Sequence, residues 1–272
     1  MLKQRVLTAI VLISLLTGVI FYGSRELFTV FMLIMIFIAA WEWAGLCGST
    51  SVYSRIIYSS LITGILLIAA VAIPEYRLIG ISLLGTIWWC MALVLVVLRQ
   101  SGKQLIPDIS IAKYFLGLFV LLPASISLII QYSTVSGPSF VFLLFTLIWI
   151  VDSTAYFIGK EWGNQRLANR ISPGKSWEGF ASSMLVAFIP PFVFISLRSI
   201  NGTDAVFLVC LCLVTAGFSV VGDLFESMIK RDANMKDSGR LLPGHGGVLD
   251  RIDSLTAAAP VFVLGLWLIE VK

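Results

Sequence analysis

The chain has 272 residues, of which 58% are hydrophobic and 12% are charged, and its mean hydropathy is +0.98. A soluble domain carries about twice that charged fraction, so the composition excludes an ordinary soluble protein and indicates a polytopic membrane protein. The net charge of +4 is too small to argue for nucleic-acid binding, and we expect no nucleic-acid partner.

Nine hydrophobic stretches are long enough to cross a bilayer as helices, because a span needs about 20 apolar residues. They cover residues 6–23, 27–45, 56–74, 78–98, 114–132, 139–158, 180–197, 204–222 and 254–271. We therefore expect an all-α fold in which residues 1–272 form one integral-membrane domain. Residues 1–150 supply N-terminal spans, and residues 150–272 form a catalytic half with two polar loops, 159–179 and 222–253.

The basic residues predict the orientation of these spans, because cytoplasmic loops carry an excess of lysine and arginine. With the N-terminus inside, 15 of the 19 Lys and Arg residues fall in inside segments. The outside keeps only Arg25, Arg77, Arg198 and Lys272. Both polar loops, and with them a polar active site, are therefore expected at the cytoplasmic face.

The first unusual charge in chain order is Glu42, between Trp41 and Trp43 near the cytoplasmic end of the second span. The tryptophans are typical interfacial anchors. Glu42 is not explained by anchoring, and it is a candidate for contact with the polar site.

Asp152 lies inside the sixth span, where an ionisable residue marks a functional site by default. The alternative is a buried aspartate that pairs with a lysine. Under the functional interpretation, Asp152 is a candidate for substrate binding.

The loop 159–179 ends in Ser172-Pro173-Gly174-Lys175-Ser176, directly before the seventh span. Its last three residues resemble the end of a P-loop, but Asn169 stands where the first glycine of that motif belongs, and no strand is expected before it. We therefore reject a P-loop. A lysine at a helix N-terminus still predicts a phosphate site, because the helix dipole and the free N–H groups favour anions.

The segment 222–253 begins with four polar residues, Asp223, Ser227, Lys230 and Arg231. Their spacing puts them on one face of a helix that continues from the eighth span. A solvated face with ion pairs inside the helix is the alternative. Asp223 favours a functional role, because an idle carboxylate at the end of an apolar span is costly.

The same segment then reaches the glycine-rich turn 243–247, which can direct backbone N–H groups towards an anion. His245, the only histidine, is a candidate for phosphate contact or proton transfer, against an ordinary structural role. Asp250 and Asp223 supply two hard oxygen ligands that suit Mg²⁺ holding a phosphate chain. Asp253 is either a further ligand or the cap of the last span.

Carboxylates, glycine N–H groups and basic side chains at a membrane surface are the groups needed for phosphoryl or nucleotidyl transfer to a lipid phosphate. The runs 227–231, 236–239 and 243–253 also resemble the signature of the phosphatidate cytidylyltransferase family, the CDP-diacylglycerol synthases. The resemblance extends to residues 41–43, 152–156, 172–177 and 254–258, and so to most of the chain.

The resemblance implies that CTP and phosphatidate react to give CDP-diacylglycerol and pyrophosphate, with Mg²⁺, in the bacterial inner membrane. The catalytic candidates are Asp223, Lys230, His245 and Asp250. Metal ligands are expected at Asp223 and Asp250, with Asp253 as a further candidate; a second cation and a homodimer are left open. The substrate-binding candidates are Asp152, Ser172, Lys175, Ser176, Ser227, Arg231, Lys236, Asp237, Gly246, Gly247 and Arg251.

Two other functions remain open. A CTP-dependent lipid kinase would use similar groups but would transfer the γ-phosphate to a lipid alcohol. An ion-coupled transporter would use Asp152 and Asp223 as ion sites, although transporters usually place polar residues midspan in repeated halves. CDP-alcohol phosphotransferases share the chemistry, but their D-G-x-x-A-R run is absent from this sequence.

Overall fold

The fold is described from a computed structural model that covers residues 2–103, 110–242, 244 and 246–269. The helices within these ranges are α1 (Leu2–Tyr22), α2 (Arg25–Leu46), α3 (Val52–Ala72), α4 (Glu75–Gln100), α5 (Ser110–Tyr132), α6 (Gly137–Trp162), α7 (Trp177–Val186), α8 (Ile189–Arg198), α9 (Thr203–Asp232) and α10 (Leu249–Ile269). A two-stranded antiparallel hairpin, β1 (Arg166–Ala168) and β2 (Ser172–Ser176), lies between α6 and α7.

The expectation of an all-α membrane protein is confirmed. In the described part of the chain, eight helical runs are long and apolar enough to cross a bilayer. Seven are single helices, and the eighth is the run Trp177–Arg198, which α7 and α8 form together. The first predicted span coincides with α1. The apolar part of this helix, Ile10–Tyr22, is shorter than the eight candidate spans.

The seventh predicted span is not one continuous helix. Helix α7 ends with Ala187 as its C-cap, and α8 begins two residues later with prolines in its first turn, Pro190 and Pro191. Proline lacks a backbone N–H and is tolerated in a first turn but not in a helix interior. The two prolines therefore separate α7 from α8.

The polar loop after α6 contains the hairpin, where the sequence predicted no strand. Strand β1 precedes Asn169, and β2 contains Lys175 and leads directly into α7. Just beyond the two strands, the Trp177 N–H donates to Gln165 O at 2.9 Å and links the two ends of the hairpin. A P-loop remains excluded, because Lys175 lies within a strand rather than in a glycine loop around a phosphate.

Helix α9 continues past its apolar part to Asp232, as the spacing of Asp223, Ser227 and Lys230 predicted. Helix α10 begins at Leu249, earlier than the predicted boundary at residue 254. The polar segment between them is therefore shorter than expected, and Asp250 and Asp253 both lie inside the first turns of α10.

The centre of the bundle is formed by α5 and α10. In their span windows 67% and 61% of the residues are buried, against 22–44% in the other candidate spans. Gly85 of α4 packs against Pro123 of α5 and Pro260 of α10, where a Cβ on Gly85 would lie 2.5 Å from Pro123 Cβ. This close packing holds the middle of α10 among the other helices.

Candidate active site

Gly222 brings α9 and α10 together at the level of the polar residues. A Cβ at this position would lie 2.5 Å from the backbone oxygen of Asp253 and 3.1 Å from Ala257 Cβ. Only glycine permits this approach. As a result, Asp223 of α9 and Asp253 of α10 lie close enough to interact electrostatically.

Lys175 reaches this cluster from the hairpin. Its Nζ lies 2.5 Å from Asp223 Oδ2, and the Ser227 hydroxyl donates to Asp223 Oδ1 at 3.2 Å. The Lys175 and Asp223 side chains are 25% and 26% exposed, so this end of the cluster is open to a ligand. Desolvation by itself lowers the pKa of Lys175, but the Asp223 carboxylate more than offsets it and raises that pKa above its usual value, so the ammonium stays charged at neutral pH.

Ser176 belongs to the local structure that holds Lys175 in place. Its buried hydroxyl accepts a hydrogen bond from the Gly179 N–H at 3.2 Å and caps the N-terminus of α7. A Cβ on Gly179 would lie 2.6 Å from Ala155 O, so α6 and α7 are in close contact here. Substrate binding by Ser176 stays a prediction, and in this structure its hydroxyl is a helix cap.

Lys230 forms the buried end of the cluster. Its Nζ lies 2.7 Å from Asp250 Oδ1 and 3.0 Å from Glu226 Oε1, and all three side chains are less than a tenth exposed. Sequence reasoning did not select Glu226. The signal was present in its i,i+4 spacing from Lys230, which is the spacing of an ion pair within a helix.

Gly246 and Gly247, at the end of the glycine-rich turn, pack against Asp250. The N–H groups of Ser238 and Gly247 donate to Asp250 Oδ2 at 2.9 and 2.8 Å. Gly246 has φ +82°, and a Cβ there would lie 2.5 Å from the same oxygen, so the position needs glycine. The turn was predicted to receive an anion through its N–H groups, and the anion that the Gly247 N–H receives in this structure is Asp250.

Glu42 contacts the polar site, which confirms the candidate contact suggested by its unusual position. Its two carboxylate oxygens accept hydrogen bonds from the Ser238 hydroxyl and from the N–H groups of Val248 and Leu249. The second span is therefore attached to the start of the last helix.

Asp253 does not cap α10, so that alternative is wrong: α10 begins at Leu249 and Asp253 lies one turn inside it. Asp152 on α6 belongs to the same cluster, because its carboxyl group interacts electrostatically with Asp223, Lys175 and Arg251. The structure thus brings residues from α6, β2, α9 and α10 to one place.

A profile of the Cytidylyltransferase family matches residues 3–269. The chain belongs to this family. It is 39% identical to a phosphatidate cytidylyltransferase of Pseudomonas aeruginosa, over 98% of this chain and 97% of that protein. It is 34% identical to proteins of the same name from Haemophilus influenzae, over 96% of this chain and 97% of the relative, and from Brucella abortus, over 97% and 92%.

The donor set of this cytidylyltransferase-family chain fits a divalent cation that binds together with a nucleotide. Within the described ranges, no group of three or more His, Cys, Asp or Glu side chains forms a ready metal cage. Mg²⁺ usually takes one or two carboxylates and completes its shell with water and substrate phosphates. Acidic side chains outnumber basic ones here, because five carboxyl groups lie near three cations: Asp152, Asp223, Glu226, Asp250 and Asp253 against Lys175, Lys230 and Arg251.

Most of the remaining substrate-binding candidates of this family member are exposed. The Arg231 guanidinium is exposed and donates to Met235 O at 3.0 Å. Lys236 and Asp237 are exposed. Arg251 is also exposed, and it interacts electrostatically with Asp152. Ser172 is half-buried at the start of β2. His245 lies outside the described residues, and its role stays a prediction.

Proposed function

We propose that this chain catalyses the reaction of CTP with phosphatidate to give CDP-diacylglycerol and pyrophosphate. One observation carries the proposal. The acidic cluster with its two lysines lies where α9 and α10 meet the hairpin, beyond the apolar part of α9. At the end of a span, a site can meet both a lipid phosphate and a water-soluble nucleotide, and whole-chain relatives carry the name of this activity.

In the proposed reaction, an oxygen of the phosphatidate phosphate attacks the α-phosphorus of CTP. The bond from the α-phosphorus to the oxygen that bridges to the β-phosphorus breaks, and pyrophosphate leaves with that electron pair. The lipid phosphate is already an anion, so the reaction needs no serine nucleophile. The main barrier is repulsion between phosphates, which positioned cations lower.

The two lysines have different parts in this proposal. Lys175 is partly exposed and is carried by a hairpin, so it can exchange its contact with Asp223 for a substrate phosphate. Lys230 is buried and held by two carboxylates, so it acts as a fixed positive charge beside Asp250. A fixed charge in a dry site stabilises developing charge without reorganisation.

We propose that Mg²⁺ binds at the carboxylates of Asp223 and Asp250, with Asp253 as a further ligand. Bound there, it would neutralise phosphate oxygens and orient the triphosphate. Asp250 already accepts hydrogen bonds from Lys230 and two backbone N–H groups, so its remaining lone pairs are few. Asp223 accepts only from Lys175 and Ser227 in the described contacts, so it keeps more lone pairs for the ion.

The site is proposed to face the cytoplasm from the inner membrane of a bacterium. The support is the distribution of basic residues, since a strong excess on one side sets orientation. CTP would then be supplied from the cytoplasm, and phosphatidate from the adjoining leaflet.

The test is an incubation of purified protein with phosphatidate, Mg²⁺ and CTP labelled either at the α- or at the γ-phosphate. The proposal expects the α-label in a CDP-lipid and the γ-label in pyrophosphate. Transfer of the γ-label to lipid, with CDP as product, would indicate a lipid kinase instead. No transfer of either label to lipid or pyrophosphate would overturn the proposed function.

A further inference from the structure

Glu42 is a buried carboxylate in a membrane-spanning helix, only 4% exposed. Within the described part of the chain, its hydrogen-bond donors all come from one distant segment. The Ser238 hydroxyl donates to Oε2 at 3.1 Å, the Val248 N–H to Oε1 at 3.1 Å, and the Leu249 N–H to Oε2 at 2.8 Å. A carboxylate in such a place is expensive unless its oxygens are hydrogen-bonded, and here both oxygens are.

Two of these donors belong to the N-terminus of α10. The first N–H groups of a helix have no acceptor within the helix, and a nearby side chain normally supplies one. The residues directly before Leu249 are Gly246, Gly247 and Val248, whose side chains carry no oxygen. Glu42 supplies the acceptor from α2 instead, and its negative charge also suits the positive end of the α10 dipole.

Two glycines of the polar segment pack directly against the Glu42 carboxylate. A Cβ on Gly239 would overlap Glu42 Oε1, and a Cβ on Gly247 would overlap Glu42 Oε2 and the Ser238 hydroxyl. Both positions therefore need glycine for close approach. Glu42 thus contacts the segment 238–249 at its beginning and at its end.

The same segment sets the surroundings of Asp250. The Ser238 hydroxyl donates to Glu42, and Gly247 packs against Glu42. The backbone N–H groups of both residues donate to Asp250 Oδ2. Asp250 itself lies in the α10 turn that Glu42 caps, and it holds Lys230. Displacing Glu42 would therefore move the backbone donors and the carboxylate together.

We propose that Glu42 is a positioning residue: it anchors the segment 238–249 and the first turn of α10 so that Asp250 stays aligned with Lys230. The effect on turnover rests on the proposed function, whereas the effect on segment 238–249 does not. The chain's N-terminal half would then complete the active site rather than only holding the protein in the membrane.

The test compares Glu42→Gln with Glu26→Gln in purified full-length protein. Glutamine keeps the shape of Glu42 but turns one acceptor oxygen into an NH₂ group that faces a backbone N–H. Glu26 lies at the other end of α2 and is exposed, so it is the matched control. We expect hydrogen exchange over residues 238–249, and trypsin cleavage after Arg240, to rise by about tenfold or more in the Glu42→Gln protein alone, the effect of one unsatisfied buried donor.

In the cytidylyl-transfer assay, kcat of the Glu42→Gln protein should fall about tenfold or more, while the melting temperature stays near that of the control. Glu42→Asp, which keeps both acceptor oxygens but is shorter, should recover part of the protection and of kcat. A purely structural role would lower the melting temperature and the yield without a local change in exchange, and that result would overturn the proposal.

If Glu42→Gln does not fold, Gly239→Ala decides the question, because it pushes the segment off the carboxylate and leaves Glu42 in place. Raised exchange confined to residues 238–249, with lowered kcat, supports the proposal. Exchange equal to wild type in that variant overturns it. If wild-type protein is inactive with CTP and phosphatidate, the proposed function fails, but the exchange comparison still decides the role of Glu42.

Discussion

Replacement of Lys175 by alanine removes the cation at the open end of the cluster. The change deletes an ion pair in which Lys175 Nζ lies 2.5 Å from Asp223 Oδ2. Under the proposed function it also deletes a contact to a substrate phosphate. Charge-assisted contacts of this kind are worth about 1.5–3 kcal/mol, which corresponds to a loss of about 10-fold to 150-fold in kcat/KM.

The assay is steady-state CDP-lipid formation at varied CTP and varied phosphatidate, because the two titrations show which substrate has lost a contact. Lys160→Ala is the matched control, since Lys160 is an exposed cation in the last turn of α6 beside the same loop. Melting temperatures in detergent establish that both variants are folded. Wild-type kinetics in the folded Lys175→Ala protein would refute the reasoning, and Lys175 would then be only a cation at the membrane surface.

Three further predictions follow from the site and the topology. Because the pKa of Lys175 is raised, the stability that its ion pair contributes is fully present below the ordinary lysine pKa of about 10.4 and is lost only as pH rises through the higher folded value. The difference in melting temperature between wild type and Lys175→Ala should therefore be constant between about pH 7 and 9, and a steady decline over that range would contradict it. In a variant without the native cysteines, a cysteine at Asn169 should react with an impermeant thiol reagent only in opened membranes, and one at Val135 in intact spheroplasts; the opposite pattern would reverse the orientation. Asp223→Asn and Asp250→Asn should each lower activity about a hundredfold or more, with the double variant little worse, because ligands of one metal ion act as a unit; multiplying losses, or full activity in excess EDTA, would exclude a shared ion.

The spans were predictable because bilayer thickness fixes the length of a helix, and this holds for any sequence of the right hydropathy. The break between α7 and α8 was not predicted, although Pro190 and Pro191 are visible in the sequence. A window of about 20 residues averages across such a break. Reading the two prolines as the first turn of a new helix would have found it.

The residues of the candidate site could be selected from sequence, but their partners could not. Asp223 stood out as a charge at the end of an apolar run, Lys230 by its place on the same helix face, and Asp250 as a carboxylate directly after the glycine-rich turn. That Lys175 binds Asp223, and that Lys230 binds Asp250, depends on how a hairpin and two helices meet in space. Spacing along one helix constrains only local pairs, so it pointed to the Asp223–Ser227 contact and not to these two.

Glycines account for much of what the sequence concealed. In sequence, the glycines of the 222–253 segment indicate a flexible turn, because glycine permits φ above zero. Only Gly244 and Gly246 of this segment have positive φ among the described glycines, whereas Gly222, Gly239 and Gly247 do not. These last three are needed for close approach: each lacks the Cβ that would overlap a backbone oxygen of α10 or a carboxylate oxygen of Glu42. The same residues that look loose in sequence therefore hold the polar segment tightly against two helices, and an alanine at any of them should displace the carboxylates without removing a single charged group.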